Sequence, residues 1–101
     1  MAWMRRDWEK QIRSIATDTR NVVWTDHARQ QIQQRDITVS VAHDVLLHGV
    51  IRREPEIDIR TGDTVCRMER FVAGKLIRIC VALKSAEPDL AIVVTAMLAG
   101  D

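Results

Sequence analysis

The chain has 101 residues, 47% of them hydrophobic and 29% charged, enough for one domain with one core and an ordinary polar surface. Fifteen basic side chains against 14 acidic ones leave a net charge of +1. That balance excludes a strongly basic nucleic-acid binder, so any anion-binding patch has to arise by clustering in the fold. No apolar run approaches the ~20 residues that cross a bilayer, and the opening MAWMRRDW lacks an apolar signal core. The expectation is no membrane partner and a cytoplasmic location.

Residues 3–17 read as an amphipathic helix. Met4, Trp8, Ile12, Ile15 and Ala16 follow the three-to-four spacing of one apolar face, with Arg5, Arg6, Glu9, Lys10 and Arg13 largely opposite. The pattern breaks at 18–21, and Val22-Val23-Trp24 reads as a brief strand. Thr25 or Asp26 can cap a second helix over about 26–35, buried through Ala28 and Ile32. His27 stands in its first turn with Gln31 four residues on, and Arg35 near its end. A third helix opens at Thr38 or Ser40, and Gly49 is its expected stop, in the left-handed conformation glycine accepts.

From Val50 the periodicity changes to two. A strand is expected over 50–53, broken by Glu54-Pro55-Glu56, and Thr61-Gly62-Asp63 signals a turn. Residues 64–72 and 75–83 flank Ala73-Gly74 as a hairpin. In its second strand Ile77, Ile79, Val81 and Leu83 share one face, and Leu76, Arg78, Cys80 and Ala82 the other. Residues 85–89, with Pro88, read as a polar turn, and 90–98 as a central strand adjacent to 75–83. No repeat or second domain is evident. Helices first and an antiparallel sheet later imply an α+β fold.

Cys66 and Cys80 match no zinc or redox spacing and read as buried free thiols. His43 and His48 are five apart, not the four of a helical metal pair, and His48 is better placed to pair with Asp44. No metal and no cofactor is expected. Of the three tryptophans, Trp3 is the expected exposed contact, and Trp8 and Trp24 the expected core residues.

Residues 24–38, with Thr25, His27, Ala28, Arg35, Ile37 and Thr38, resemble the opening of a bacterial domain-of-unknown-function family of small toxin-like proteins. Its pattern is Ser/Thr-x-His-Ala, then Arg, then Gly-Ile-Ser/Thr. The later Val72-x-Gly74-x-x-Ile77-Arg78-x-Cys80-Val81 resembles its glycine hairpin and arginine-bearing strand. Together they cover about residues 22–98, leaving the first helix as an addition to a single 1–101 domain. Asp36 stands where the family commonly has glycine, and Gln31 where a basic residue is frequent.

That family is similar to the RelE/ParE-like toxins, which include BrnT and MqsR. The resemblance implies helices packed on a curved antiparallel sheet. It further implies a toxin of a toxin–antitoxin system, neutralised by an antitoxin protein. Many such toxins cut mRNA without a metal, some only on the ribosome, while ParE-type members act on DNA gyrase. Metal-free RNA cleavage requires a group to take the 2′-hydroxyl proton, charge to stabilise the phosphorane and a proton for the leaving oxygen. His27 is the candidate base or acid, Arg35, Arg67 and Arg78 are the candidate phosphate ligands, and Glu69 is a second acid/base if it faces the same side. The near-neutral charge keeps a different class in view: a non-catalytic module that binds a partner protein, or forms a homodimer, through its N-terminal helix.

Overall fold

The computed structural model describes residues 3–84 and 90–98. Helix α1 (Arg5–Ala16) forms on the expected stripe. Ile12, Ile15 and Ala16 are buried, with Trp8 packed against the core edge. The Asp7 carboxylate accepts from the Met4 N–H at 2.7 Å, satisfying an orphan donor and placing negative charge at the positive end of the helix dipole. Asp18 then accepts from the Arg20 N–H and caps a 3₁₀ turn, Thr19–Asn21. Asp18 is held below its usual carboxylate range by the Arg20 guanidinium, with the backbone hydrogen bond adding to it.

Strand β1 (Val22–Trp24) leads into α2 (Asp26–Gln34), capped by Thr25, whose hydroxyl accepts from Ala28 N–H at 3.1 Å. Asp36, at φ +57°, makes the left-handed link that follows. Helix α3 (Val39–His48) is capped in the same way by Thr38, which accepts from Val41 N–H at 3.1 Å. The helix stops at Gly49, though not for the expected reason. Its φ is −72°, which any residue adopts. Glycine is required there because a Cβ would collide with the Val45 carbonyl oxygen and lie 3.0 Å from that of Glu69.

The remaining strands are β2 (Val50–Ile51), β3 (Glu56–Ile57), β4 (Thr64–Val72), β5 (Lys75–Leu83) and β6 (Ala91–Leu98). They form one sheet in the order β1-β6-β5-β4-β2, with β3 also on β4. The long hairpin β4–β5 turns at Ala73 and Gly74, with φ of +55° and +78°, the pair of positive values a tight two-residue hairpin needs. β5 and β6 are adjacent and antiparallel, as expected. The strand expected over 50–53 covers only Val50–Ile51. The polar turn expected at 85–89 lies outside the described residues.

The fold is α+β, with a mixed rather than wholly antiparallel sheet. β1 runs parallel to β6, in the register Val22↔Ala91 to Trp24↔Val93. A three-residue apolar run carries no signal of direction, and its partner is almost seventy residues away, so only the closed fold sets this pairing. β6 therefore has a partner on each side, and β5 occupies the middle of the strand order.

The helices pack against one side of the sheet. Cys66, Met68, Ile77, Ile79, Val81, Leu83, Ala91, Val93 and Ala96 join Ile12, Ala28, Ile32, Val45 and Leu46 in a single core. Among the described residues, no helix is long and apolar enough to cross a membrane.

Candidate functional site

The strand alternation that buries one face of the sheet sets out the other in cross-strand rows. Residues paired across an antiparallel ladder point to the same side. The register places Arg67 opposite Cys80 and Cys80 opposite Thr95, then Glu69 opposite Arg78 and Arg78 opposite Met97. A bulge makes this possible on β6. Cys80 pairs with Thr95 and Val81 with Val93, so Val94 is an extra residue that shifts the alternation. Val50 is paired with Glu69 and Ile51 is buried opposite Met68. Continuing that alternation puts Arg52 on the same helix-free side, beside Arg67 and Glu69.

Glu69 is the only charged side chain among the buried described residues, at 7% exposure. Its Oε1 accepts from Arg78 Nη2 at 2.9 Å and Nε at 3.2 Å. Its Oε2 lies 3.6 Å from Arg52 Nε. A carboxylate removed from water needs such charge-assisted partners. Arg67 reaches the exposed Glu56 carboxylate at only 3.6 Å, and its buried Nη1 makes no hydrogen bond. Two arginines thus share one buried carboxylate, and a third, Arg67, stands on the same face with an exposed carboxylate at the rim. Positive charge is concentrated at these three guanidiniums, offset by Glu56 and Glu69 and by the Asp58 and Asp63 carboxylates nearby.

An open groove of about 430 Å³ runs along this face. Arg67, Cys80, Thr95 and Met97 line it, and Asp58 and Asp63 of the β3–β4 loop form its wall. Cys80 is not an activated nucleophile there. Burial raises its thiol pKa against the opposing pull of Arg67 and Arg78. Cys66, on the core side, is pushed up to about 12 by burial. Both cysteines are free, and they sit on opposite faces of the sheet. Among the described residues, no three His, Cys, Asp or Glu side chains gather into a metal-binding group.

Helix α2 lies along the β6 edge, beyond the point where β1 ends. The Thr25 hydroxyl donates to Val93 O at 2.9 Å, and Gln31 Oε1 accepts from Ala96 N–H at 2.8 Å. Gln31, standing where the sequence pattern favours a basic residue, thus acts as a strand partner for β6. His27, one turn earlier on the same side of α2, is exposed. Arg35 closes the helix, and its carbonyl accepts from Lys75 Nζ at 3.4 Å, which ties the end of α2 to the turn end of the hairpin.

The fold therefore brings Arg67, Glu69 and Arg78 together on one face. His27 and Arg35 stand on the helix flanking its β6 side. Arg70 points the other way, its Nε donating to Asp44 at 2.8 Å. Asp44 also lies 3.7 Å from His48, the surface pair expected. Arg52 was not singled out by sequence, because its neighbours Glu54 and Glu56 suggest a mixed-charge edge. The Glu69–Arg78 pair did have a signal: a two-residue turn at 73–74 pairs 72 with 75, and by counting outwards 69 with 78.

A second groove, of about 470 Å³, lies at the start of α1, lined by Trp3, Arg5, Arg6, Glu9, Ile51 and Glu54. Trp3 is 47% exposed and packs edge-on against Trp8, with ring centroids 4.6 Å apart. Trp8 and Trp24 are partly buried against the core.

The model of a family described as a domain of unknown function (DUF4258) matches residues 24–98. The match takes in α2, α3 and strands β2 to β6, and leaves out α1. No curated protein and no solved structure matches the chain.

Proposed function

We propose that this chain, which belongs to the DUF4258 family, is a RelE/ParE-like toxin domain of a toxin–antitoxin system that cleaves mRNA without a metal ion. The observation that carries the reading is Arg67. A buried guanidinium N–H without an acceptor costs roughly 1–3 kcal/mol. This one lines an open groove, beside two further arginines that share a single buried carboxylate. A phosphate oxygen supplies the missing acceptor and matches the fork of a guanidinium.

An RNA strand on this face would place its scissile phosphate at Arg67 and Arg78. His27 approaches from α2 and handles the protons; Arg35, at the far end of that helix, binds a neighbouring phosphate. The 2′-oxygen loses its proton and attacks phosphorus, the bond to the 5′-oxygen breaks, and that oxygen leaves with a proton. The products are a 2′,3′-cyclic phosphate and a 5′-hydroxyl. The arginines stabilise the charge that builds on the phosphorane oxygens. Glu69, engaged by Arg78 and beside Arg52, holds the guanidiniums in place rather than relaying protons.

The test is purified protein with RNA or with translating ribosomes, chelator present throughout. Cleavage should persist, leave cyclic-phosphate ends, and fall roughly 10²–10⁴-fold in His27→Ala with the fold intact. Cleavage that disappears with chelator would overturn the metal-free mechanism. Absence of cleavage in both settings would overturn the nuclease.

A non-catalytic binding module is the second reading. It is favoured by the carboxylates already at Arg78 and Arg67, and by the exposed Trp3 beside the α1 groove. Its mark would be a tight protein partner, an antitoxin or a second copy, lost on Trp3→Ala in a chain with no effect on RNA.

A further inference from the structure

We propose that Arg52 is an additional phosphate-binding residue of the helix-free face, held beside Arg78 by Glu69 and positioned by α1. The inference rests on the RNA-binding reading above and extends it to a residue outside the catalytic set.

Arg52 and Arg78 occupy opposite oxygens of the one buried carboxylate. Arg78 uses both Nε and Nη2 on Oε1, and its Nη1 faces the Met97 sulfur at 3.9 Å, a weak acceptor. One N–H of Nη2 and those of Nη1 remain for a further acceptor on this face. Arg52 is less engaged. Among the described residues its side chain has one polar contact, Nε at 3.6 Å from Oε2, beyond hydrogen-bonding distance, and the side chain is 69% exposed. Its terminal N–H groups therefore reach solvent while the carboxylate keeps the guanidinium on the same face as Arg67.

The backbone under Arg52 is fixed unusually well for a two-residue strand. Arg5 Nη1 donates to the Arg52 carbonyl at 2.7 Å. Glu9 Oε1 accepts from Ile51 N–H at 2.6 Å. Arg13 donates to Gly49 O through Nη2 at 2.6 Å and Nε at 3.2 Å. Residues 5, 9 and 13 lie on one side of α1, so the helix grips the free edge of β2 where a neighbouring strand would otherwise bind. The held segment ends at Arg52. Arg53, its exposed neighbour at the bend that follows, makes no ion pair with Glu69 and serves as the internal control.

The experiment is equilibrium binding of a fluorescent single-stranded RNA to the full chain, followed from 50 to 200 mM salt. Each phosphate contact on a single strand contributes about 0.7 to the slope of log K against log salt. Arg52→Ala should lower the slope by about that amount, and Arg53→Ala should leave it unchanged. Arg52→Lys should keep the slope while losing part of the affinity, because an ammonium keeps the charge but not the fork. Arg5→Ala should weaken binding by a smaller factor without changing the slope, since it loosens the Arg52 carbonyl and leaves the guanidinium in place. Circular dichroism of each variant fixes its folded fraction, to which affinity is referred.

Equal effects of Arg52→Ala and Arg53→Ala would overturn the proposal in favour of diffuse surface charge. No effect of either, in a wild-type chain that binds RNA, would overturn it while leaving the RNA reading standing. A wild-type chain with no affinity for RNA would remove both.

Discussion

Ala73 adopts a φ of +55° without the freedom of glycine, and Asp36 a φ of +57°. A left-handed residue with a Cβ costs roughly 1–2 kcal/mol, and Asn and Asp lower that cost by bonding locally to the backbone. The hairpin turn Ala73-Gly74 is therefore a position where the chain is less stable than its fold allows, and Ala73→Asn should stabilise it by about 0.5–1 kcal/mol. The measurement is a denaturant midpoint that rises at unchanged slope; Asp36→Ala should move it the other way. The cysteines give a second check at this scale. Cys66 is pushed up to about 12 and Cys80 is raised by burial, in spite of two arginines near it. The thiolate is the reactive form. At pH 8 both should resist a thiol reagent in the folded chain and react at once after unfolding. Rapid labelling of Cys80 in the native state would mean that the arginines, not burial, govern that thiol.

At the scale of elements, most of the fold was legible, because each helix and the long hairpin carry their own local signals. The apolar stripe of α1, the threonine caps of α2 and α3, and the glycine turn between β4 and β5 each depend on residues within a few positions. What escaped depends on residues far apart. The parallel direction of β1, the shortness of β2 and the bulge at Val94 are all set by partners across the sheet. The candidate site divides in the same way. Arg67, Glu69 and Arg78 fall on one face by hairpin counting alone, whereas Arg52 joins them only because β2 pairs with β4. Gln31 is the clearest instance. Read as the loss of a positive charge, it proves to be a backbone partner, its Oε1 accepting from Ala96 N–H on the part of β6 that β1 does not reach. Gln31→Ala should cost roughly 1–3 kcal/mol, the penalty of a buried donor left without an acceptor. Amide hydrogen exchange at Ala96 should speed up while that of Val93, in the β1–β6 region, stays slow. Equal exchange at Ala96 in wild type and variant would show that another group satisfies it.

At the scale of the molecule, α1 decides whether the family portion can stand alone. The match begins at residue 24, after the helix, yet Ile12, Ile15 and Ala16 are buried in the same core as the sheet. The side chains of Arg5, Glu9 and Arg13 also satisfy the edge of β2. Truncating one large buried aliphatic residue costs about 2–5 kcal/mol, and a domain of this size is stable by only about 5–15 kcal/mol. Two isoleucines removed together therefore consume a large share of the total, before the uncapped β2 edge is counted. Such an edge is a template for pairing with another chain. A chain beginning at residue 19 should accordingly lose its cooperative thermal transition, or survive only by associating through that edge. Circular dichroism melts and sedimentation of the two lengths at several concentrations distinguish these results. A shortened chain that stays monomeric and melts within a few degrees of the full one would show that α1 is an appendage, and that β2 holds Arg52 in place without it.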